Sequence, residues 1–105
     1  MMTFRSRKVV KDKNYMQWVV QNYPCYVCRK KLNTYNYHQI QFHHLQGKYR
    51  IGAMLRDDST GLPLCFDHHQ ELTFKFGERK FWEMIGIDPI HDAIKLYEKY
   101  KQEKL

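Results

Sequence analysis

Cysteine and histidine residues occur in short-spaced pairs at two places in this chain. Cys25 and Cys28 are separated by two residues in "PCYVCR", and Cys65 and His68 have the same spacing in "LCFDHH". A structural zinc ion takes four nitrogen or sulfur ligands in a tetrahedron, commonly as two such pairs from separate parts of the chain. Positions three apart at the start of a helix share a face. The four residues therefore predict a structural Zn²⁺ site. A buried Cys65 without a metal, beside a simple turn, is the alternative.

Two histidine doublets accompany these pairs, namely His43 with His44 and His68 with His69. Adjacent residues on a helix diverge by about 100°, so a zinc-bound His68 leaves His69 facing elsewhere. Neighbours on a strand point to opposite faces unless the strand bends. A neutral imidazole can bind a divalent metal or accept a proton at neutral pH. We therefore expect a second centre that uses His69 and the first doublet, with surface histidines by chance as the alternative.

The elements that must position these groups can be predicted from hydrophobic periodicity and from helix-ending residues. A basic arm over residues 1–13 leads into a short helix, which Pro24 ends. Alternating apolar residues predict a strand within 37–45. Residues 46–63 are rich in turn formers and predict a long loop around a short second strand at "KYRI".

Three helices are predicted after this loop. The first runs from Leu64 to about residue 76 and is ended by Gly77. The second follows at once and stops at Gly86. Asp88 and Pro89 provide an N-cap and a first-turn residue for the last helix. The apolar stripe of that last helix consists of Ile90, Ala93, Ile94 and Tyr97.

Composition limits the classes of protein to which the chain can belong. A length of 105 residues indicates one domain. Lysine and arginine number 18 against 11 acidic residues, a net charge of +7 that suits a polyanionic partner, although solubility alone would also explain it. Three cysteines cannot all pair within one chain, and no signal peptide or long apolar stretch is recognised. We therefore expect a reducing, cytoplasmic location, no membrane partner, and cysteines that bind metal.

The order of these motifs resembles that of the HNH endonucleases with the ββα-metal fold, particularly the small ones encoded by phages and prophages, some of them tied to recombination. The resemblance covers residues 25–88 and is carried by "FHHL", "LPLCFDHHQEL" and "FWEMIGIDP". It implies an α+β fold with a ββα-metal core, a treble-clef-like zinc site and flanking N- and C-terminal helices. His68 stands where many relatives have cysteine, and Cys3His remains an ordinary zinc ligand set.

The predicted elements and the resemblance together give the organisation of the chain. Residues 1–22 are expected to form the basic arm and a short helix. Residues 23–77 are expected to form the HNH core with its zinc knuckle. Residues 78–105 are expected to form C-terminal helices packed on that core, within a single domain overall.

Carried over onto this sequence, the resemblance makes His44 the general base and makes His43 and His69 ligands of a catalytic divalent ion. The middle position of the motif falls in "RDDS", where this chain has aspartate instead of asparagine. Counting back from "LPLC" favours Asp58 over Asp57 as the catalytic-site residue. An aspartate there could orient the base or complete the metal shell, and either residue could instead cap a turn.

The implied activity is metal-dependent hydrolysis of DNA phosphodiester bonds. Few protein ligands suit Mg²⁺ or Mn²⁺, while imidazoles also suit Zn²⁺ or Ni²⁺. The expected partners are DNA and, by the same resemblance, recombination proteins, in the cytoplasm of a bacterium or a phage-infected host cell. The basic residues expected to contact phosphates are Arg29, Lys30, Lys31, Lys48, Arg50 and Arg56.

The main alternative is a non-catalytic zinc module that binds DNA or protein through its knuckle and basic surface. It explains the four zinc ligands but leaves His43, His44 and His69 without a role. A nuclease fold that has lost its activity is a further alternative. A groove-reading Cys2His2 finger fits less well, because 36 residues separate the two ligand pairs. The last helix could cover the core or form a dimer seam, so both a monomer and a dimer are compatible with the sequence.

Overall fold

The chain forms five α-helices and two β-strands within residues 9–46 and 57–104, which are the residues that the computed structural model describes. The helices are α1 (Lys13–Asn22), α2 (Tyr26–Lys31), α3 (Phe66–Gln70), α4 (Glu78–Ile85) and α5 (Ile90–Glu103), and the strands are β1 (Ile40–His44) and β2 (Gly61–Cys65). The fold is therefore a small α+β structure. The predicted "KYRI" strand and most of the basic N-terminal arm lie outside the described residues.

The two strands pair in an antiparallel sheet. Ile40 lies opposite Cys65, and His44 lies opposite Gly61. All of β2 is buried, whereas β1 is only partly covered. The strand predicted within 37–45 is confirmed at β1. This register brings the start of β1 to the predicted zinc ligand at the end of β2.

The two faces of β1 carry different groups. Phe42 and His44 share one face, with their ring centroids 5.0 Å apart, and Phe42 packs against the buried residues of α1. Gln41 and His43 share the other face, where Gln41 Oε1 lies 2.6 Å from Nδ1 of His69 on α3. Alternate residues of β1 thus point to the same face of the sheet, as expected of a strand. The neighbouring histidines of β1 therefore face apart.

The helix after the long loop begins two residues later than predicted. We expected it from Leu64, but α3 begins at Phe66 because Leu64 and Cys65 still pair with β1. A π-helical segment, Glu71–Phe76, follows α3 directly. Gly77, with φ +84°, ends this segment and confirms the predicted stop, because few other residues adopt a positive φ.

The predicted end of α4 is confirmed, and α5 begins one residue later than predicted, with Pro89 as its N-cap instead of Asp88. α4 ends at Gly86, which has φ +74° and donates its N–H to the carbonyl of Trp82. Asp88 Oδ1 accepts a hydrogen bond of 3.1 Å from the N–H of Ile90 at the start of α5. None of the helices in the described ranges combines the length and apolar character that a membrane crossing requires.

Two buried clusters hold these elements together. The larger one joins α2 and the sheet to the π-helical segment, α4 and α5. The smaller one joins α1 to α5 through Tyr15, Val19 and Tyr100. Members of the predicted α5 stripe contribute to both, since Ala93 and Ile90 pack in the larger cluster and Tyr97 in the smaller one. The apolar stripe of α5 therefore covers the core. The fully buried members of the larger cluster include Cys25, Leu64, Trp82 and Ala93.

Gly61 offers a test of how closely the strands pack. A Cβ atom added there would lie 2.3 Å from two ring carbons of Phe42 and 2.8 Å from the carbonyl oxygen of His43. We expect Gly61→Ala to lower the free energy of unfolding by about 1–3 kcal/mol, because the backbone carbonyl cannot move without shifting the strand. Denaturant unfolding of the metal-loaded protein measures the loss. Gln102→Ala, at the exposed end of α5, should change stability by less than about 0.5 kcal/mol. An equally small effect of Gly61→Ala would contradict the close packing.

Candidate metal centre

Four side chains meet between α2 and the junction of β2 with α3. Cys25, Cys28, Cys65 and His68 each offer one ligand atom, and these atoms all lie within 4.8 Å of one another. They are the four residues predicted from their spacing. The three cysteines are buried free thiols. The cluster is therefore close enough to bind one metal ion.

The distances within the cluster suit zinc. The sulfurs of Cys28 and Cys65 are 4.0 Å apart, and Nδ1 of His68 lies 3.5 Å from the sulfurs of Cys25 and Cys28 and 3.3 Å from that of Cys65. Tetrahedral zinc with its usual bond lengths separates two sulfurs by about 3.8 Å and a sulfur from a nitrogen by about 3.6 Å. The four donors fit a structural Zn²⁺, with Nδ1 as the donor atom of His68.

The ends of secondary-structure elements position these ligands. Cys25 precedes α2 and caps it, since the N–H of Cys28 donates to its sulfur at 3.4 Å. Cys65 is the last residue of β2, and His68 lies in the first turn of α3. The ring of Phe81 on α4 packs edge-on against that of His68, with centroids 6.5 Å apart. The cluster therefore joins α2, the sheet, α3 and α4.

Asn36 supports the cluster from the loop between α2 and β1, and sequence analysis missed it. Its carbonyl accepts a 2.8 Å hydrogen bond from the N–H of Cys25, and its side-chain amide donates to the sulfur of Cys28 at 3.6 Å. Such outer contacts orient metal ligands and stabilise thiolate charge. The loop has no periodicity that would show Asn36 returning to the knuckle. In the structure, Asn33 and Gln39 of this loop have φ +52°, and these turns bring Asn36 back to the knuckle.

Burial controls the protonation of the thiols. It raises the pKa of Cys25 to about 12, and it also raises the pKa of Cys65. The metal-free protein therefore favours neutral thiols at these positions. Because zinc binds thiolates, zinc binding must release protons.

His43 on β1 contacts a carboxylate on α4 that sequence analysis did not identify. Its Nε2 lies 2.9 Å and 3.0 Å from the two carboxylate oxygens of Glu78, and Nε1–H of Trp82 donates to Oε2 of Glu78 at 2.8 Å. The side chains of His43 and Glu78 are 4% and 13% exposed, so both are largely withdrawn from solvent. An acidic residue in the first turn of α4 is explained by the helix dipole alone. Nothing in the sequence therefore linked Glu78 to His43.

His69 faces the same region as His43 and away from the zinc ligands. The ring centroids of His43 and His69 are 5.1 Å apart. Nδ1 of His69 lies 2.6 Å from Oε1 of Gln41, which can only accept, so the free lone pair is at Nε2. Burial and then the nearby His43 lower the pKa of His69, while Glu78 raises it in part. A lowered pKa keeps the imidazole in the neutral form that can bind a metal.

His44 lies on the opposite face of β1, against Asp58. Its Nε2 is 2.7 Å from Oδ1 of Asp58, whose Oδ2 accepts a 2.6 Å hydrogen bond from the N–H of Asp12. Asp57 instead accepts from the N–H of Ser59 at 2.8 Å, which is a turn-capping contact. Of the two candidate aspartates, Asp58 is the one in contact with the predicted base.

His43, His44 and His69 all line one cleft of about 510 Å³. Other parts of its wall come from β1, from the π-helical segment and from Glu78. Asp58 lies behind His44 and is not among the described residues that line the cleft. The structure thus brings the three histidines together and separates Asp58 from the space that they border.

The predicted phosphate-contacting residues have varied surroundings. Arg29 is exposed, with its guanidinium 4.9 Å from the centre of the Tyr35 ring. Lys30 forms an ion pair of 3.3 Å with Asp92, so its charge is partly compensated, and Lys31 is exposed. The other three predicted contacts lie outside the described residues, and they are Lys48, Arg50 and Arg56.

Comparisons of the chain with protein-family models, with curated proteins and with solved structures found no match. The resemblance to HNH endonucleases therefore depends on the motifs quoted above. The features supported by the structure are the small α+β fold and a Cys3His cluster that can bind a metal ion.

We expect the purified protein to hold one tightly bound zinc ion and to unfold when the ion is removed. The binding free energy of structural zinc is about 10–16 kcal/mol, as large as the total stability of a small domain. Elemental analysis and circular dichroism, before and after treatment with a strong chelator, measure both effects. His68→Ala should lose the zinc, whereas His91→Ala, on the exposed side of α5, should keep it. A folded protein without bound metal would overturn the assignment.

Zinc affinity should rise steeply with pH. Below the pKa of a ligand thiol, each bound thiolate costs one proton, and burial sets the pKa of Cys25 far above neutrality. With three thiols, the logarithm of the apparent affinity should gain up to about three units for each pH unit near neutrality. Competition with a chromophoric chelator at several pH values gives this slope. An affinity independent of pH would show that thiolates do not bind the ion.

Proposed function

We propose that this protein is a metal-dependent HNH endonuclease that hydrolyses DNA phosphodiester bonds. The observation that carries the proposal is that His43, His44 and His69 border one cleft, although the first two face apart on β1. The order of two strands and a helix, with a Cys3His cluster at the junction of β2 and α3, further supports a ββα-metal core.

His44 would act as the general base. Because its Nε2 contacts the carboxylate of Asp58, its lone pair is at Nδ1, where it could accept a proton from a water molecule. Asp58 would act as a positioning residue that fixes the orientation and tautomer of His44. The hydrogen bond from Asp12 holds the Asp58 carboxylate in that position. This role accounts for aspartate at the middle position of the motif without requiring it to bind the metal.

His43 and His69 would hold a divalent cation. When bound, that cation would stabilise negative charge on the phosphoryl and leaving oxygens. The contact of His69 with Gln41 leaves Nε2 of His69 free to bind it. Two imidazoles suit Mn²⁺, Zn²⁺ or Ni²⁺, and the open sides of the cleft leave room for the water ligands that Mg²⁺ or Mn²⁺ keep.

The charge distribution supports a role for a cation in binding phosphate. Among the described residues that line the cleft, none is Lys or Arg. Neutralisation of the DNA backbone would therefore depend on the metal and on basic residues elsewhere, such as the exposed Arg29 and Lys31. The net charge of +7 supports salt-dependent attraction to DNA as a whole.

The second candidate is a non-catalytic zinc module that binds DNA or protein. Its support is that His43 and His44 each contact a carboxylate, with Glu78 and Asp58 as the partners. Two largely buried histidine–carboxylate pairs could serve the fold alone. The two candidates differ in whether the cleft histidines are needed for chemistry or only for stability.

Nicking of supercoiled plasmid by the zinc-loaded protein tests the proposal. We expect nicking with Mg²⁺ or Mn²⁺, and we expect His44→Ala to lower the rate by about 10²–10⁴-fold, the usual contribution of a general base. His91→Ala is the matched control and should cut like the wild type. Circular dichroism and zinc content must first show that each variant is folded.

Two results would exclude the nuclease. One is an absence of nicking in Mg²⁺, Mn²⁺, Zn²⁺ and Ni²⁺, and the other is equal nicking by the wild type and His44→Ala. If DNA binding that weakens steeply with salt persists without nicking, the non-catalytic module is the correct function.

A further inference from the structure

Glu78 is the acidic residue nearest to the proposed cation ligands, and no motif assigns it a role. Its carboxylate lies beside Nε2 of His43 and borders the same cleft as His43 and His69. We infer that Glu78 is the third protein ligand of a divalent transition-metal site that it forms with His43 and His69. The site is separate from the Cys3His cluster, and the inference rests on the proposed function for its place in catalysis.

The distance between His43 and Glu78 is compatible with two ligands of one ion. Nε2 of His43 lies 2.9 Å from Oε1 and 3.0 Å from Oε2 of Glu78. Adjacent ligand atoms on an octahedral ion with bonds of about 2.1 Å are about 3.0 Å apart. His43 and Glu78 are therefore spaced as adjacent ligands of one ion. Among the described residues only the Cys3His cluster already has three or more ligand atoms close enough for one ion, so His69 would have to move toward this site when a cation binds. The contact is a hydrogen bond when no ion is present, and the same two atoms can turn toward a cation.

Other contacts prepare the three ligands. Nε1–H of Trp82 donates to Oε2 of Glu78 at 2.8 Å, which fixes the carboxylate and leaves Oε1 available. Gln41 occupies Nδ1 of His69 and leaves its Nε2 available. Both contacts are of the kind that orients metal ligands from outside the coordination shell.

The donor set selects the class of cation. Two neutral imidazoles and one carboxylate favour Mn²⁺, Fe²⁺, Co²⁺ or Zn²⁺ over Mg²⁺ and Ca²⁺, which prefer oxygen ligands. Three protein ligands leave other coordination positions open to water or a phosphate oxygen. Glu78 would thereby supply the carboxylate that Asp58 cannot, since Asp58 lies behind His44 with its side chain 5% exposed.

Mn²⁺ binding to the zinc-loaded protein tests this inference without any measurement of cleavage. Electron paramagnetic resonance of free Mn²⁺ should show one bound ion per chain. Glu78→Gln should weaken that binding by about 10–100-fold, while keeping an oxygen that accepts from Trp82. Glu83→Gln, which removes the same charge from the exposed side of α4, should bind Mn²⁺ like the wild type. Zinc content and the thermal midpoint confirm that the variants are folded.

An anomalous-scattering map from wild-type crystals soaked in Mn²⁺ provides a second test that needs no variant. A peak bonded to a carboxylate oxygen of Glu78 and to both imidazoles is the expected result. The inference fails if Glu78→Gln binds Mn²⁺ as tightly as the wild type, if the wild type binds none, or if the peak lies away from Glu78. Binding through Glu78 without nicking would overturn only the nuclease, whereas nicking with unchanged Mn²⁺ affinity in Glu78→Gln would overturn only the role of Glu78.

Discussion

The rest of this structure depends on one constraint, which is that the four ligand atoms of the Cys3His cluster must lie close together. A chain of 105 residues can bury only a modest apolar core, so additional cross-links between elements have a large effect on stability. The Cys3His cluster connects α2 to the junction of β2 and α3, where the chain changes from extended to helical. Zinc bound there would fix the direction in which α3 leaves the sheet. The position of every group on α3 then follows from the zinc ligands.

This arrangement couples the metal cluster to the cleft. Successive residues on a helix are about 100° apart, so a helix that turns His68 toward the cysteines turns His69 away from them. On β1, the period of two separates His43 from His44 in the same manner. In each doublet, therefore, the geometry of the element points the two histidine side chains in different directions. One member of the first doublet meets His69 across the cleft, while the other contacts Asp58.

Two histidine–carboxylate pairs in this protein are largely buried, namely His43 with Glu78 and His44 with Asp58. A carboxylate withdrawn from water loses solvation and must be compensated by hydrogen bonds or by a cation. Asp58 is compensated by His44 and by the N–H of Asp12, and Glu78 by His43 and Trp82. Paired buried charges of this kind can serve the fold alone, so burial by itself does not assign them a chemical role. His43, His44 and Glu78 border a common cleft, and this is the reason to assign the two pairs a chemical role.

The sequence by itself determined the features that depend on short spacing. These features are the two ligand pairs of the Cys3His cluster, the strand at β1, the helix ends at Gly77 and Gly86, and the divergence of His68 from His69. Helix and strand geometry fix such relations locally. The start of α3 was predicted two residues early because pairing with β1 extends β2 to Cys65, and strand pairing is a contact between distant segments.

Only the tertiary structure decided which carboxylates meet the histidines. Glu78 is separated from His43 by 35 positions and by several elements, and an acidic residue at the start of a helix has an ordinary local explanation. Asn36 reaches the cysteines through a loop without periodicity. In the sequence, only the count back from "LPLC" favours Asp58 over Asp57, whereas in the structure the hydrogen bonds of Asp58 to His44 and Asp12 distinguish them. Long-range contacts of this kind depend on how the packed elements are oriented, which local patterns do not encode.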